Sequence, residues 1–269
     1  MMTKLRGKTA VVLGAAGLGN MGQTLARRFA AEGAKVLVAG RHEAELSSLA
    51  QEIGGAHAVC DITSEADMRS LGRAALDWTG RLDVAVNATG WGLLKPFLET
   101  TRQELEQMAA LQFIGPFLWM QSTAAAMIEA GHGGSIIQIS SATATIMLND
   151  HAAYMGTKAG TDHVVRCVAN EFGARGIRAN SISPGLTETP MTAGATGTPG
   201  LMEAFTPCYP LGRIGTQEDI ADAATWLASD ACFMTGQNLQ VNGGLTLRRN
   251  PTRAEITDAV VAATSLTAL

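Results

Sequence analysis

Ala10-Val11-Val12-Leu13-Gly14-Ala15-Ala16-Gly17-Leu18-Gly19-Asn20-Met21-Gly22 is the stretch that decides the fold. Four apolar residues run without a polar break, as in a strand buried on both faces of a parallel sheet. Glycines follow at once, and a helical pattern opens behind them. Glycine lets the backbone turn tightly and approach a ligand closely, and a helix N-terminus offers unpaired N–H groups to an anion. Gly17-x-Gly19-x-x-Gly22 fits the dinucleotide-binding fingerprint. In a chain with 30 glycines the pattern alone says little; its place between a first strand and a first helix gives it weight.

The rest of the chain repeats the alternation. Apolar, β-rich runs predict strands at 8–13, 35–39, 56–60, 83–87, 134–140, 177–183 and 238–241. Helical stretches are expected near 21–32, 42–53, 64–79, 101–130, 152–174 and 216–228. Such a series predicts an α/β fold, a Rossmann-like doubly wound parallel sheet of about seven strands with helices on both faces. Residues 192–210 are rich in Gly, Thr and Pro and read as a long mobile loop with a short helix at 200–205, the kind of loop that often forms a lid. There is no repeat, charge block or interdomain linker. The reading is one domain over 1–247 and a helical C-terminal extension over 248–269.

Composition narrows the function. The net charge is −4, so nucleic acid is not an expected partner. No apolar run approaches the ~20 residues of a membrane span, and residues 1–8 lack a signal-peptide apolar region. Cys60, Cys167, Cys208 and Cys232 are scattered without a Cys-x-x-Cys, so neither metal nor disulfide use is expected. All this suits the cytoplasm.

Tyr154 and Lys158 sit four apart, on one face of a predicted helix, with Ser141 thirteen residues before the tyrosine. A free phenol titrates near pH ~10, and an adjacent cation lowers that value. A serine hydroxyl from a neighbouring strand can hold a carbonyl or hydroxyl oxygen beside the tyrosine. This is a general acid/base arrangement for a C–O group. After the second strand no acidic residue is placed to bind an adenosine ribose hydroxyl. Arg41 stands there instead, as a partner for a 2′-phosphate or as a solvated arginine at a helix start.

Together these motifs resemble the short-chain dehydrogenase/reductase superfamily, in its short single-domain branch, from about residue 5 to 247. The glycine turn, Asp61, Asn87-Ala88-Thr89-Gly90, Ser141, Tyr154-x-x-x-Lys158, Pro184-Gly185-x-x-x-Thr189 and Val241-Asn242-Gly243-Gly244 fall in the family's order. The resemblance implies that Tyr154 is the acid/base, that Lys158 lowers its pKa and holds the nicotinamide ribose, and that Ser141 orients the substrate oxygen. It implies cofactor contacts from Gly14, Gly17, Gly19, Asn20, Met21 and Gly22, from Arg41, Asp61 and Ile62, from Asn87, Ala88 and Gly90, and from Pro184, Gly185, Thr187 and Thr189. Gln112 takes the place of a helix asparagine that holds a relay water in the family. It either serves that relay or is a buried side chain bonded to backbone. The glycine turn is two residues longer than usual, which leaves open which amides meet the phosphates. Trp91, Leu93, Thr143, Ile146, Met147, Met191, Leu201, Met202 and Phe205 are expected on the substrate side, and their apolar character favours a hydrophobic small molecule.

The resulting expectation is an NADP(H)-preferring oxidoreductase that interconverts a ketone and a secondary alcohol, assembled as a tetramer or dimer. Its rivals are a catalytically silent nucleotide-binding sensor or scaffold and a 3-oxoacyl-acyl-carrier-protein reductase. In the tail, Thr252-Arg253-Ala254-Glu255 reads as a capping box ahead of an apolar stripe of Ile256, Ala259, Val260, Ala263 and Leu266. The stripe predicts a helix of ~14 residues docked at a subunit boundary or beside the 192–210 loop. The alternative is a frayed end.

Overall fold

The computed structural model describes residues 3–266. Seven strands form one parallel sheet: β1 (Thr9–Leu13), β2 (Lys35–Gly40), β3 (Ala56–Val59), β4 (Val84–Asn87), β5 (Gly134–Ile139), β6 (Ile177–Pro184) and β7 (Asn238–Val241). Their order is β3-β2-β1-β4-β5-β6-β7. Each expected strand is present, because continuous apolar runs are the signature of parallel strands covered on both faces. The helices are α1 (Met21–Ala31), α2 (Glu43–Ile53), α3 (Glu65–Thr79), α4 (Arg102–Ala109), α5 (Gly115–Ala130), α6 (Ala152–Phe172), α7 (Ala193–Thr196), α8 (Leu201–Phe205), α9 (Gln217–Ala228) and α10 (Arg253–Leu266). On one face Leu25, Phe29, Leu46, Leu49, Ile220 and Leu227 bury against the sheet. On the other, Met68, Leu71, Trp119, Met127 and Val165 do so.

The chain winds outward from β1 to β3 and then crosses to β4, so the order reverses between β1 and β4. Ligands of open α/β sheets bind at the carboxyl ends of the strands where this happens. Here the two strand ends touch: a Cβ on Gly14, which has φ +96°, would stand 2.8 Å from the Ala88 carbonyl carbon. Only glycine fits.

The long helix expected at 101–130 runs from Arg102 to Ala130 with one irregular turn. A π-helical turn at Ala110–Ile114 separates α4 from α5. Pro116 follows that turn. It has no N–H to give to the carbonyl four residues back, that of Gln112. The Thr161 hydroxyl of α6 donates to that carbonyl instead, at 2.6 Å.

The 192–210 segment is also more structured than a loop. It holds α7, α8 and a 3-10 turn at Thr206–Cys208. Buried Phe205 and Tyr209 join Ala142, Ile214 and Leu245 in a third apolar cluster, with Ile256 of the tail packed against it. The tail helix begins with the expected capping box: Glu255 N donates to Thr252 Oγ1 at 3.2 Å, and Thr252 N to Glu255 Oε2 at 2.7 Å. Ile256, Ala259, Val260 and Ala263 are half-buried; the Leu266 side chain lies outside the described residues. Of the two docking places expected, α10 takes the one beside the 192–210 segment. Gly200 caps α8 at φ +83°, and a Cβ there would collide with the Ala259 carbonyl. The tail also reaches the opposite side. Asn250 Nδ2 donates to the Met147 carbonyl at 3.0 Å, Arg253 pairs with Asp150, and Arg248 donates to the Pro207 carbonyl at 2.7 Å. No helix among the described residues is long and apolar enough to cross a membrane.

Candidate active site

An open cleft of about 880 Å³ runs along the carboxyl ends of the central strands. The glycine turn forms its floor. Asn20 caps α1, accepting from Gln23 N at 3.0 Å, and its Nδ2 donates to the Gly14 carbonyl at 2.8 Å. One side chain thus ties both ends of the lengthened turn. Gly14 N and Ala15 N donate to the Ala39 carbonyl, and Gly19 N to Gln23 Oε1. The amides of Gly17, Leu18, Met21 and Gly22 have no acceptor among the described residues. Gly14, Gly17, Asn20 and Met21 line the cleft. Gly19 and Gly22 do not. Gly22 lies so close to the Gly14 carbonyl that any Cβ would clash, so it serves the packing of α1 on β1.

At the β2–β3 end the rim is Arg41, His42, Asp61, Ile62 and Thr63. Arg41 is exposed and Ile62 buried. Asp61 Oδ1 accepts from Thr63 N and Oγ1, at 2.8 and 2.7 Å. Those bonds, with the Arg41 charge, hold its carboxyl below the usual range. Ala88 and Gly90 line the middle, while Asn87 stands behind the wall, fully buried. Its Oδ1 accepts from Thr89 N and Oγ1, and its Nδ2 donates to Gln138 Oε1 on β5. Pro184, Gly185, Thr187 and Thr189 form the far wall.

Ser141, Tyr154 and Lys158 meet in the cleft. Ser141 leaves the end of β5, and its hydroxyl pairs with Thr143 Oγ1 at 2.8 Å. Lys158 is buried and its Nζ donates to the Ile139 carbonyl at 2.9 Å, 5.6 Å from the centre of the Tyr154 ring. Burial pulls the ammonium down to about 8, against the field of Asp162. The phenol departs from expectation. Burial pushes it up, the Ser141 hydroxyl pulls it down, and Asp162 pushes it up again. The ammonium is turned to the strand end, so it does not lower the phenol in this arrangement.

Gln112 lies behind the wall, 2 % exposed, and does not line the cleft. Its Nε2 donates to the Trp91 carbonyl at 3.1 Å, and its Oε1 has no partner. The amide nitrogen is thus bonded to backbone, while Oε1 is left for the water that the relay reading calls for. On the substrate side Trp91 and Met191 line the cleft. Leu93, Thr143, Ile146, Met147, Leu201, Met202 and Phe205 do not. Met147 is 70 % exposed, and Phe205 is buried in the cluster under α10.

Several residues that shape the site were not singled out from sequence. The His151 ring stacks on Tyr154 with centroids 4.4 Å apart, and its Nδ1 is buried without a partner. Burial lowers its pKa. Tyr209 OH accepts from Leu186 N at 2.7 Å, which pins the Pro184–Thr189 wall. Asp162 lies one turn beyond Lys158. The helical spacing from Tyr154 and Lys158 marks both His151 and Asp162. Nothing local marks Tyr209.

Comparisons with known proteins agree with the fold. A family model described as enoyl-(acyl carrier protein) reductase matches residues 14–246. D-threitol dehydrogenase of Mycolicibacterium smegmatis is 35% identical over 251 residues, covering 91% of this chain and 95% of that protein. 3beta-hydroxysteroid dehydrogenase 1 of Eggerthella lenta is 34% identical over 254 residues, covering 92% and 97%. A solved short-chain type dehydrogenase/reductase from Mycobacterium ulcerans superposes with a TM-score of 0.88 at 32% identity, covering 98% of each chain.

Proposed function

Because the chain belongs to the short-chain dehydrogenase/reductase family, with a D-threitol dehydrogenase and a 3beta-hydroxysteroid dehydrogenase among its relatives, we propose that it is an NADP(H)-preferring oxidoreductase. It interconverts a secondary alcohol and a ketone with Tyr154 as proton donor and acceptor. The observation that carries this reading is the meeting of Ser141, Tyr154 and Lys158 at the inner end of the cleft. The cleft fits a dinucleotide. The amides of Gly17, Leu18, Met21 and Gly22 face no protein acceptor at a helix N-terminus, where a pyrophosphate is favoured. Arg41 stands on the rim where a 2′-phosphate would lie, and no acidic residue follows β2 to select a bare ribose.

A nicotinamide bound there supplies the hydride chemistry. The chain's residues do the rest. The Ser141 hydroxyl holds the substrate oxygen, and Thr143 fixes that hydroxyl. Tyr154 gives its phenolic proton to the oxygen in reduction and takes one from the alcohol in oxidation. Lys158 is the one cation beside the phenol; turned from the Ile139 carbonyl toward Tyr154, it would stabilise the phenolate form that oxidation needs. Trp91 and Met191 offer apolar walls, which favours a substrate with a hydrophobic body. The relatives named above act on a small polyol and on a steroid, so both classes belong in a substrate panel. Exposed Leu105, Phe113, Ile114 and Phe117, along α4, the π turn and α5, suit a homo-oligomer contact. The test is absorbance at 340 nm with ketones and alcohols of graded polarity and both cofactors. No turnover with any pair would leave a nucleotide-binding protein without this chemistry.

A further inference from the structure

Three consecutive residues at the end of β5 are held in three ways. The Ile139 carbonyl accepts from Lys158 Nζ at 2.9 Å. Ser140 Oγ donates to Asp162 Oδ2 at 2.8 Å. The Ser141 hydroxyl pairs with Thr143 Oγ1 at 2.8 Å and lowers the Tyr154 phenol. Lys158 and Asp162 lie one turn apart on α6, 4 % and 7 % exposed. Asp162 Oδ2 also accepts from Asn238 Nδ2 of β7, at 2.5 Å, and Ser181 of β6 faces the carboxylate. Oδ1 has no partner within hydrogen-bonding geometry.

Burial raises the Asp162 pKa, against the polar groups around it and the Lys158 charge; a carboxylate held there with an unsatisfied oxygen is costly, and an asparagine would make the same cross-links without the charge. The groups bonded to it, Ser140 and Asn238, are neutral, as is Ser181 beside it. The one cation acting on it is Lys158, and Tyr154 is the other titratable group within its field. Lys158 in turn feels no other carboxylate. The charge therefore has one use visible in the geometry.

We propose that Asp162 is a positioning residue for the reaction: its carboxylate keeps the buried Lys158 charged and, through Ser140, fixes the strand end that carries Ser141. This rests on the reading that Ser141, Tyr154 and Lys158 carry the chemistry. The two roles separate by substitution. Asp162→Asn keeps the shape and removes the charge. Ser140→Ala keeps the charge and removes the tether.

The first test needs no substrate. Unfolding by urea is measured from pH 6 to 10 for the parent chain and for Asp162→Asn, each with and without Lys158→Met. The stability difference made by Lys158→Met changes where Lys158 loses its proton. With its negative neighbour gone, the ammonium is less favoured, so that pH should fall by ~1 unit in Asp162→Asn. An unchanged value overturns the charge role, whatever the enzyme's substrate proves to be. The second test uses the best ketone of the panel. Asp162→Asn should move the alkaline limb of kcat/KM down by a similar amount. Ser140→Ala should lower kcat ~10-fold and leave the limb in place. If both variants move the limb equally, or if Ser140→Ala keeps wild-type kcat, the two-part role is wrong. Should Asp162→Asn fail to fold, Asn238→Ala provides the control. It keeps the carboxylate and removes only a bond to it, so a limb moved downward there would also count against the proposal.

Discussion

Arg41→Ala should raise the dissociation constant for NADPH by roughly 10- to 100-fold and change that for NADH by less than about 3-fold. Arg41 follows the last residue of β2, is exposed, and lines the cleft rim. A hydrogen bond to a charged group contributes ~1.5–3 kcal/mol, and ~1.4 kcal/mol is tenfold. Solvent screening at an exposed position puts Arg41 near the lower end. A ribose hydroxyl makes no charged contact there, so NADH loses little. One indirect effect needs weighing. Arg41 also lowers the Asp61 carboxyl, but the Thr63 bond is the larger influence, so Asp61 stays ionised in the variant. Arg41 is a cleaner choice than Gly40. A Cβ at position 40 would stand 2.7 Å from the Ala16 Cβ. Gly40→Asp would displace the glycine turn and weaken both cofactors alike. The assay is fluorescence titration of each reduced cofactor at fixed ionic strength. Equal losses for the two, or a parent chain that prefers NADH, would refute the reasoning.

Tyr154→Phe should cut turnover at least 100-fold while NADPH affinity holds within about 3-fold, since only the proton donor goes; a residual rate above a tenth of the parent's would sink the acid/base role. Burial lowers Lys158 from 10.5 to about 8, so carrying the charge costs the free protein ~3 kcal/mol below pH 8. The folded value lies below the unfolded one, so this cost fades as pH rises. The stability gained by Lys158→Met should therefore shrink by ~2 kcal/mol between pH 6.5 and 9.5 in urea melts, and a difference flat with pH would contradict the assigned burial. Tyr209→Phe leaves Leu186 N without its acceptor and should cost ~1–3 kcal/mol of stability and raise the substrate KM; unchanged values for both would show that the hydroxyl does not pin the wall. Truncation after Leu247 strips the cover from α8 and should lower the melting temperature and raise KM, outcomes that calorimetry and steady-state kinetics check directly.

The sheet was legible because each strand is a continuous apolar run bounded by polar turns, as Val36-Leu37-Val38 shows. The tail helix was legible from its cap and its stripe. The π turn was not. It goes with the Gln112 carbonyl, which lacks a donor at Pro116 and takes one from distant Thr161, and helical periodicity carries no trace of that bond. Of the two short helices of the 192–210 segment, the one at 200–205 was expected and is α8, whereas α7 (Ala193–Thr196) was hidden among glycines and threonines. In the site, spacing only suggested Ser141, Tyr154 and Lys158; the resemblance of the whole motif series singled them out, and the fold brings them to one cleft. The residues that brace them could not all be found that way. Asn87 and Gln112 look like cleft residues in the linear order, yet their amides turn to Gln138 and the Trp91 carbonyl. Side-chain direction behind a wall depends on which neighbour offers a partner, and that is settled only in three dimensions.

The missing donor at Pro116 also bears on how such chains drift. The Gln112 carbonyl needs one partner, and Thr161 supplies it. A relative that carries any residue with an N–H at 116 has the helical bond available and frees 161 from its hydroxyl. A relative that keeps proline cannot give up that hydroxyl without stranding a buried acceptor. The two positions should therefore be inherited as a pair: Thr or Ser at 161 wherever 116 is Pro, and broad tolerance at 161 elsewhere. Constructed in the laboratory, Thr161→Val should destabilise the parent chain and be nearly silent once Pro116→Ala is present. The order in which two such changes enter a lineage would then be constrained, with 116 moving first.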